Sequence, residues 1–255
     1  MIREEFIVTG TPEVEVRIAS GRVEITKGGP GVVAVEVETR DPDFIVEQRG
    51  NLVFVSSDRN AGWLSRGSAF VTISMPSEAE ARVSTASARF DCEPHMARID
   101  VKTASGDVEV ESADIATIKT ASGDVGLGDV TKALRVATAS GDVFVRGECE
   151  GTVALNTASG DVDIDACSAT IDVNTVSGKV HVRRFTGSQA NFKSMSGSID
   201  IAIPEGTRID LDANILSGKV RTPPKRESSA PVERHMTLKA KLVSGDLTIE
   251  RLDAR

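Results

Sequence analysis

IDVKTASGDVEV at residues 99–110 and VALNTASGDVDI at residues 153–164 are two copies of one unit, and the spacing of that unit decides the fold. Further copies read ATIKTASGDVGL, LRVATASGDVFV, IDVNTVSGKVHV, ANFKSMSGSIDI, LDANILSGKVRT and LKAKLVSGDLTI. Their serines are Ser105, Ser122, Ser140, Ser159, Ser177, Ser196, Ser217 and Ser244, at spacings of 17, 18, 19, 18, 19, 21 and 27 residues. A degenerate copy surrounds Ser87, and an outlying one surrounds Ser20. Self-similarity at such a period marks a repeat architecture.

Within each unit apolar and polar residues alternate, as on a strand with one buried face. Ile99, Ala116, Leu134, Val153, Ile171, Ala190, Leu211 and Leu238 lie six residues before the serine, and Val108, Val125, Val143, Val162, Val180, Ile199, Val220 and Leu247 lie three after it. Two more apolar columns sit four before and five after. A unit this short cannot bury its apolar face alone, so neighbours must stack on it. The pattern predicts an all-β protein, a single-stranded parallel β-helix (β-solenoid) of about 18 residues per rung, roughly 40 Å long over about nine rungs. A glycine follows every repeat serine: Gly106, Gly123, Gly141, Gly160, Gly178, Gly197, Gly218 and Gly245. A corner that needs positive φ or close approach between rungs explains it, so these glycines are structural turn residues. Ala104, Ala121, Ala139 and Ala158 before the serine fit a tight corner; Val176, Met195, Leu216 and Val243 at the same place predict a roomier one.

Residues 1–80 read as strands without the regular period. They predict a β-rich N-terminal section continuous with the solenoid of residues 81–255, departing from the consensus to close the exposed end. DFIVEQRGNLVFVSS reads as a hairpin around Arg49, Gly50 and Asn51. The proline-bearing stretch 222–234 should loop out before the rung around Ser244.

The chain has 255 residues, 40% of them hydrophobic and 27% charged, without an apolar run long enough to span a bilayer. A net charge of −8 argues against nucleic acid as a partner. The acids near the start, with alternating apolar residues, do not read as a secretory signal, and a cytoplasmic location is expected. Cys92, Cys149 and Cys167 fit reduced, buried thiols. Charge is uneven: residues 166–255 hold 14 Lys and Arg against 10 Asp and Glu, so the acidity lies in residues 1–165. Such a chain is suited to head-to-tail association.

Asp107, Asp124, Asp142 and Asp161 stand two residues after the serine, followed in the same place by Lys179, Ser198, Lys219 and Asp246. Carboxylates about 4.8 Å apart repel by roughly 0.9 kcal/mol per pair even in water. A bound Ca²⁺ would offset that, but an Asx-turn, each Asp accepting a turn N–H with lysines nearby, is the favoured reading. Thr103, Thr120, Thr138, Thr157, Thr175 and Ser194 share the inward parity and are expected to form a packed ladder. His95, His181 and His235 match no metal-ligand spacing, and His181 should stand between Asp163 and Asp200. No nucleophile elbow, phosphate loop or dinucleotide fingerprint occurs, so no catalytic residue, metal or cofactor is assigned. Trp63, between Arg59 and Arg66, is the candidate interface anchor, with the Asp column as the other candidate interaction surface.

The repeated TASGDV units, VEVRIASGRVEI at 14–25 and WLSRGSAFVTISMPSEAEARVSTAS at 63–87 resemble a bacterial family of domains of unknown function labelled "putative adhesin", or β-strand-repeat, domains. The resemblance spans essentially the whole chain and implies a parallel β-solenoid, with some relatives linked to cell-envelope stress. It implies no catalytic residues. The expected function is a non-enzymatic structural or interaction scaffold that binds a protein partner or a second copy of itself. A carbohydrate-active β-helix enzyme, with Asp163, His181, Asp200 and Arg221 as the place to look, is the alternative, and a calcium-stabilised module is a third reading.

Overall fold

Val14, Val16 and Ile18 are almost completely buried while Glu15 and Arg17 between them face outward, and that alternation recurs along the chain. A strand turns successive side chains to opposite faces, so this pattern converts directly into a half-buried ladder. The computed structural model describes residues 1–57, 68–223 and 234–252. Over them the protein is all-β, without a helix, and no helix is long and apolar enough to cross a membrane. Residues 224–233 of the expected loop lie outside the described residues, as do Arg59, Trp63 and Arg66. Two compact units are formed, Met1–Leu127 and Gly128–Arg255.

The first unit holds β1 (Ile2–Ile7), β2 (Glu13–Ile18), β3 (Ser20–Lys27), β4 (Val32–Thr39), β5 (Ile45–Arg49), β6 (Leu52–Ser56), β7 (Ser68–Met75), β8 (Ala79–Thr85), β9 (Arg89–Cys92), β10 (Met96–Lys102) and β11 (Val108–Lys119). Parallel pairing stacks them in two columns. One runs β6, β2, β8, β10 and the second half of β11. The other runs β7, β3, β9 and the first half of β11. The opening repeat β2/β3 is therefore inserted between β6/β7 and β8/β9, out of chain order. Three antiparallel strands complete the unit: β5 on β6, β4 on β7, and β1 on β4. β5 and β6 form the expected hairpin, with Gly50 at φ 65° in its turn. Phe54 lies beneath Arg17 and Arg49, whose guanidinium carbons stand 5.5 and 5.6 Å from the ring centre.

β12 (Val125–Thr138) carries the chain into the second unit. There follow β13 (Val143–Cys149), β14 (Thr152–Thr157), β15 (Val162–Cys167), β16 (Thr170–Ser177), β17 (Val180–Val182), β18 (Gln189–Ser196), β19 (Ile199–Ile203), β20 (Thr207–Ser217), β21 (Val220–Arg221), β22 (Arg234–Ser244) and β23 (Leu247–Arg251). All described pairing in this unit is parallel. Leu134 faces Val153, Val153 faces Ile171, and Ile171 faces Ala190, so the apolar columns expected from the spacing are in register. Val143, Val162, Val180 and Ile199 form a second such column.

The order changes at the end of the chain. β18 pairs with β22 and β22 with β20; β19 pairs with β23 and β23 with β21. The last repeat in sequence is thus inserted ahead of the one before it, and β20/β21 forms the free edge among the described residues. Ala190 meets Leu238, which in turn meets Leu211. At that edge the inward column is no longer covered: Leu211 is 37% exposed and Val220 44%, whereas Leu238 and Leu247 are fully buried.

Candidate functional site

The corners of the four TASGDV repeats are each built by their own threonine. The backbone N–H groups of Gly106, Gly123, Gly141 and Gly160 donate to the hydroxyls of Thr103, Thr120, Thr138 and Thr157, every one at 2.9 Å. The threonines are buried, as their inward parity predicted, but they clasp their own turns instead of bonding along a ladder. At Thr175 and Ser194 the clasp is lost, and both hydroxyls are buried without a hydrogen-bond partner. Gly178, Gly197, Gly218 and Gly245 there adopt positive φ, from 136° to 156°. The corner has changed conformation where Val176, Met195, Leu216 and Val243 replace alanine.

Those four residues do not enlarge an interior corner. The position before the serine is exposed in all eight repeats from Ser105 to Ser244, alanine included, so the larger side chains stand in solvent. Exposure is 49% for Val176, 58% for Met195, 48% for Val243 and 78% for Leu216. The following serines are in register, Ser177 with Ser196, Ser196 with Ser244, and Ser244 with Ser217. The four apolar side chains therefore form one continuous ridge, in the order Val176, Met195, Val243, Leu216. Beside it a shallow depression is lined by Asn156, Asn174, Val176, Lys193, Met195 and Lys241 among others. Asn174 donates to Asn156 Oδ1 at 3.1 Å and to Asp172 Oδ1 at 2.7 Å, which fixes the amide floor. Exposed aliphatic side chains bordered by lysines are suited to binding an apolar segment that carries acids. Sequence reasoning saw the size change at these four positions and read it as a roomier corner; their outward parity, one residue from the buried threonine, was the signal for the ridge.

The Asp column links successive repeats. Asp107 Oδ1 accepts the N–H of Asp124 (3.1 Å), Asp142 Oδ1 that of Asp161 (2.8 Å), and Asp161 Oδ1 that of Lys179 (2.7 Å). Asp246 Oδ1 accepts the N–H of Lys219 (2.9 Å). The expected Asx-turn bond within one corner is replaced by a bond to the next repeat. A carboxylate that accepts a backbone N–H is held by it, which opposes repulsion along the column.

The residues considered for catalysis are only partly assembled. Asp163, His181 and Asp200 are register partners, as expected. Asp200 next meets Thr248, however, and Thr248 separates it from Arg221, which pairs with Asp246 at 3.1 Å. The insertion of β22/β23 is the cause. Asp163 is ion-paired with Arg183. Cys92, Cys149 and Cys167 are free and buried. Burial pushes the thiols of Cys92 and Cys149 up to about 12 and that of Cys167 up to about 11, which removes them as nucleophiles near neutral pH.

The family model of Toastrack DUF4097 matches residues 12–253. No curated protein matches the chain. A crystal structure named a "putative adhesin" from Parabacteroides merdae is similar over 97% of this chain and 95% of its own, at 10% identity and a TM-score of 0.50. Another so named, from Bacteroides fragilis, covers 97% of this chain and 96% of its own at 14% identity and a TM-score of 0.49. A "putative lipid binding protein" from Parabacteroides distasonis covers 99% and 96% at 15% identity and a TM-score of 0.47.

Proposed function

The chain belongs to the Toastrack DUF4097 family, and from that premise we propose that it is a non-enzymatic binding scaffold that engages a protein partner, in the first instance a second copy of itself. The observation that carries this reading is the exposed ridge of Val176, Met195, Val243 and Leu216 beside Lys193 and Lys241. We also infer that the ladder winds as a single-stranded parallel β-helix. Support comes from parallel partners about 18 residues apart, as for Val153 and Ile171, and from corners that recur at every serine. A fold that spends its regularity on stacking offers a stiff surface for a partner. Lysines beside the ridge and the acidic surplus in residues 1–165 supply the complementary charges for self-association. A role in cell-envelope stress is the process this reading favours, by the family resemblance.

Sedimentation of the wild type and of a Met195→Ser/Leu216→Ser variant, at low salt over a range of concentration, tests the proposal. Association weakened at least tenfold in the variant, with an unchanged melting temperature, is the expected result. A wild type that stays monomeric at hundreds of micromolar rejects self-association. Association that is equal in both proteins rejects the ridge.

A further inference from the structure

Outside the ridge, the first unit brings a histidine and two carboxylates from three separate segments to one point. Glu78 lies in the turn between β7 and β8, His95 between β9 and β10, and Asp114 on β11. Met96 pairs with both Ala79 and Ala113, and this register lines up the residues that flank them. Glu78 holds a left-handed backbone, φ 63°, and its N–H donates to the His95 carbonyl at 2.9 Å. His95 Nδ1 lies 3.1 Å from Ser112 Oγ, so its other ring nitrogen points at the carboxylates.

The distances distinguish two states of this cluster. A charged histidine hydrogen-bonded to a carboxylate brings nitrogen and oxygen to about 2.7–2.9 Å. His95 Nε2 instead stands 3.4 Å from Asp114 Oδ1 and 3.7 Å from Glu78 Oε1, and all three donor atoms lie within 4.8 Å of one another. Bonds of about 2.1 Å to one tetrahedral ion separate its ligands by about 3.4 Å. The set thus has the spacing of three ligands around a shared cation, with a fourth position open. Ser112 on the far ring nitrogen is an outer partner of the sort ligating histidines ordinarily have, and it holds the ring plane.

We propose that Glu78, His95 and Asp114 form a binding site for a borderline divalent transition-metal ion, of which Zn²⁺ is the type. The donors are His95 Nε2, Asp114 Oδ1 and Glu78 Oε1. An imidazole with two carboxylates favours such an ion over Ca²⁺ or Mg²⁺, which take oxygen ligands. Asp114 is the less exposed carboxylate, at 16% for its side chain against 69% for Glu78, and so is the better fixed of the two. The ion would join the turn before β8, the turn before β10 and β11 into one cross-link. This inference uses none of the residues of the ridge, and neither depends on the other.

Calorimetric titration of the chelator-stripped full chain with Zn²⁺ is the test, with visible spectroscopy of Co²⁺ as a second readout. Expected are one equivalent of Zn²⁺ bound, a rise in melting temperature, and Co²⁺ absorption bands of a four-coordinate site. His95→Gln and Asp114→Asn should each weaken binding at least tenfold, whereas His181→Gln leaves it unchanged and Ca²⁺ produces no comparable heat. Because these side chains are partly exposed, the metal-free variants should melt within a few degrees of the wild type. Absence of saturable Zn²⁺ binding overturns the proposal. So does Zn²⁺ binding that survives His95→Gln undiminished, or that is lost in His181→Gln.

Discussion

A methyl group on Gly123 would stand 2.1 Å from the Gly106 carbonyl oxygen, and one on Gly160 2.0 Å from that of Gly141. Neither carbonyl can withdraw without disturbing the repeat behind it, so Gly123→Ala and Gly160→Ala should each cost about 2 kcal/mol or more. Urea unfolding measures it, with the exposed Ala158→Ser as a control expected within about 0.5 kcal/mol of the wild type. The buried thiols supply a second residue-level expectation. Their pKa values are raised on folding, so the unfolded chain releases these protons first, and stability must fall as pH climbs above about 9. Cys92 and Cys149 each contribute up to about 1.4 kcal/mol per pH unit in that window. Thermal melts between pH 8 and 10 should fall less steeply in Cys92→Ala/Cys149→Ala, and a decline identical to the wild type contradicts the assignment. The glycine positions were legible because all eight repeats from Ser105 to Ser244 keep them. The bonds of Asp107, Asp142 and Asp161 were not, since a carboxylate beside a turn fits a local N–H and a neighbour's N–H equally well.

Strand pairing adds what single residues do not show. Apolar alternation at Val153, Ile171 and Ala190 predicted parallel partners in register, and the structure pairs them so. Alternation is blind to order, however: Leu211 and Leu238 both satisfy the column, and either could follow Ala190. The structure places Leu238 there because β22/β23 enters between β18/β19 and β20/β21. Hydrogen exchange should reverse the protection expected from chain position. Amides of Thr237 to Leu242, held on both sides, should exchange at least tenfold slower than those of Arg208 to Asn214 on the free edge. Equal rates, or faster exchange in β22, would contradict this strand order. The same insertion separates Asp200 from Arg221, so a cluster that looks continuous in sequence is not continuous in space.

For the whole chain, composition and period together pointed to an all-β repeat protein, and the family match places it in Toastrack DUF4097. The ridge was missed because a single exposed valine or methionine carries no meaning alone; only stacking makes four of them a surface. If lysines steer its partner, raising NaCl from about 50 to about 500 mM shortens the screening length severalfold and should weaken association at least tenfold. Association that does not respond to salt would leave the apolar ridge as its only source. The two inserted repeats have one further implication. β22/β23 carries the last described strands and is sandwiched between two neighbours of its own unit, whereas β2/β3 is preceded by β1, which among the described strands pairs with β4 alone. Tension delivered beyond β23 would have to tear a strand from two flanking ladders together, so that strand should withstand pulling far better than β1, which can peel off β4 singly.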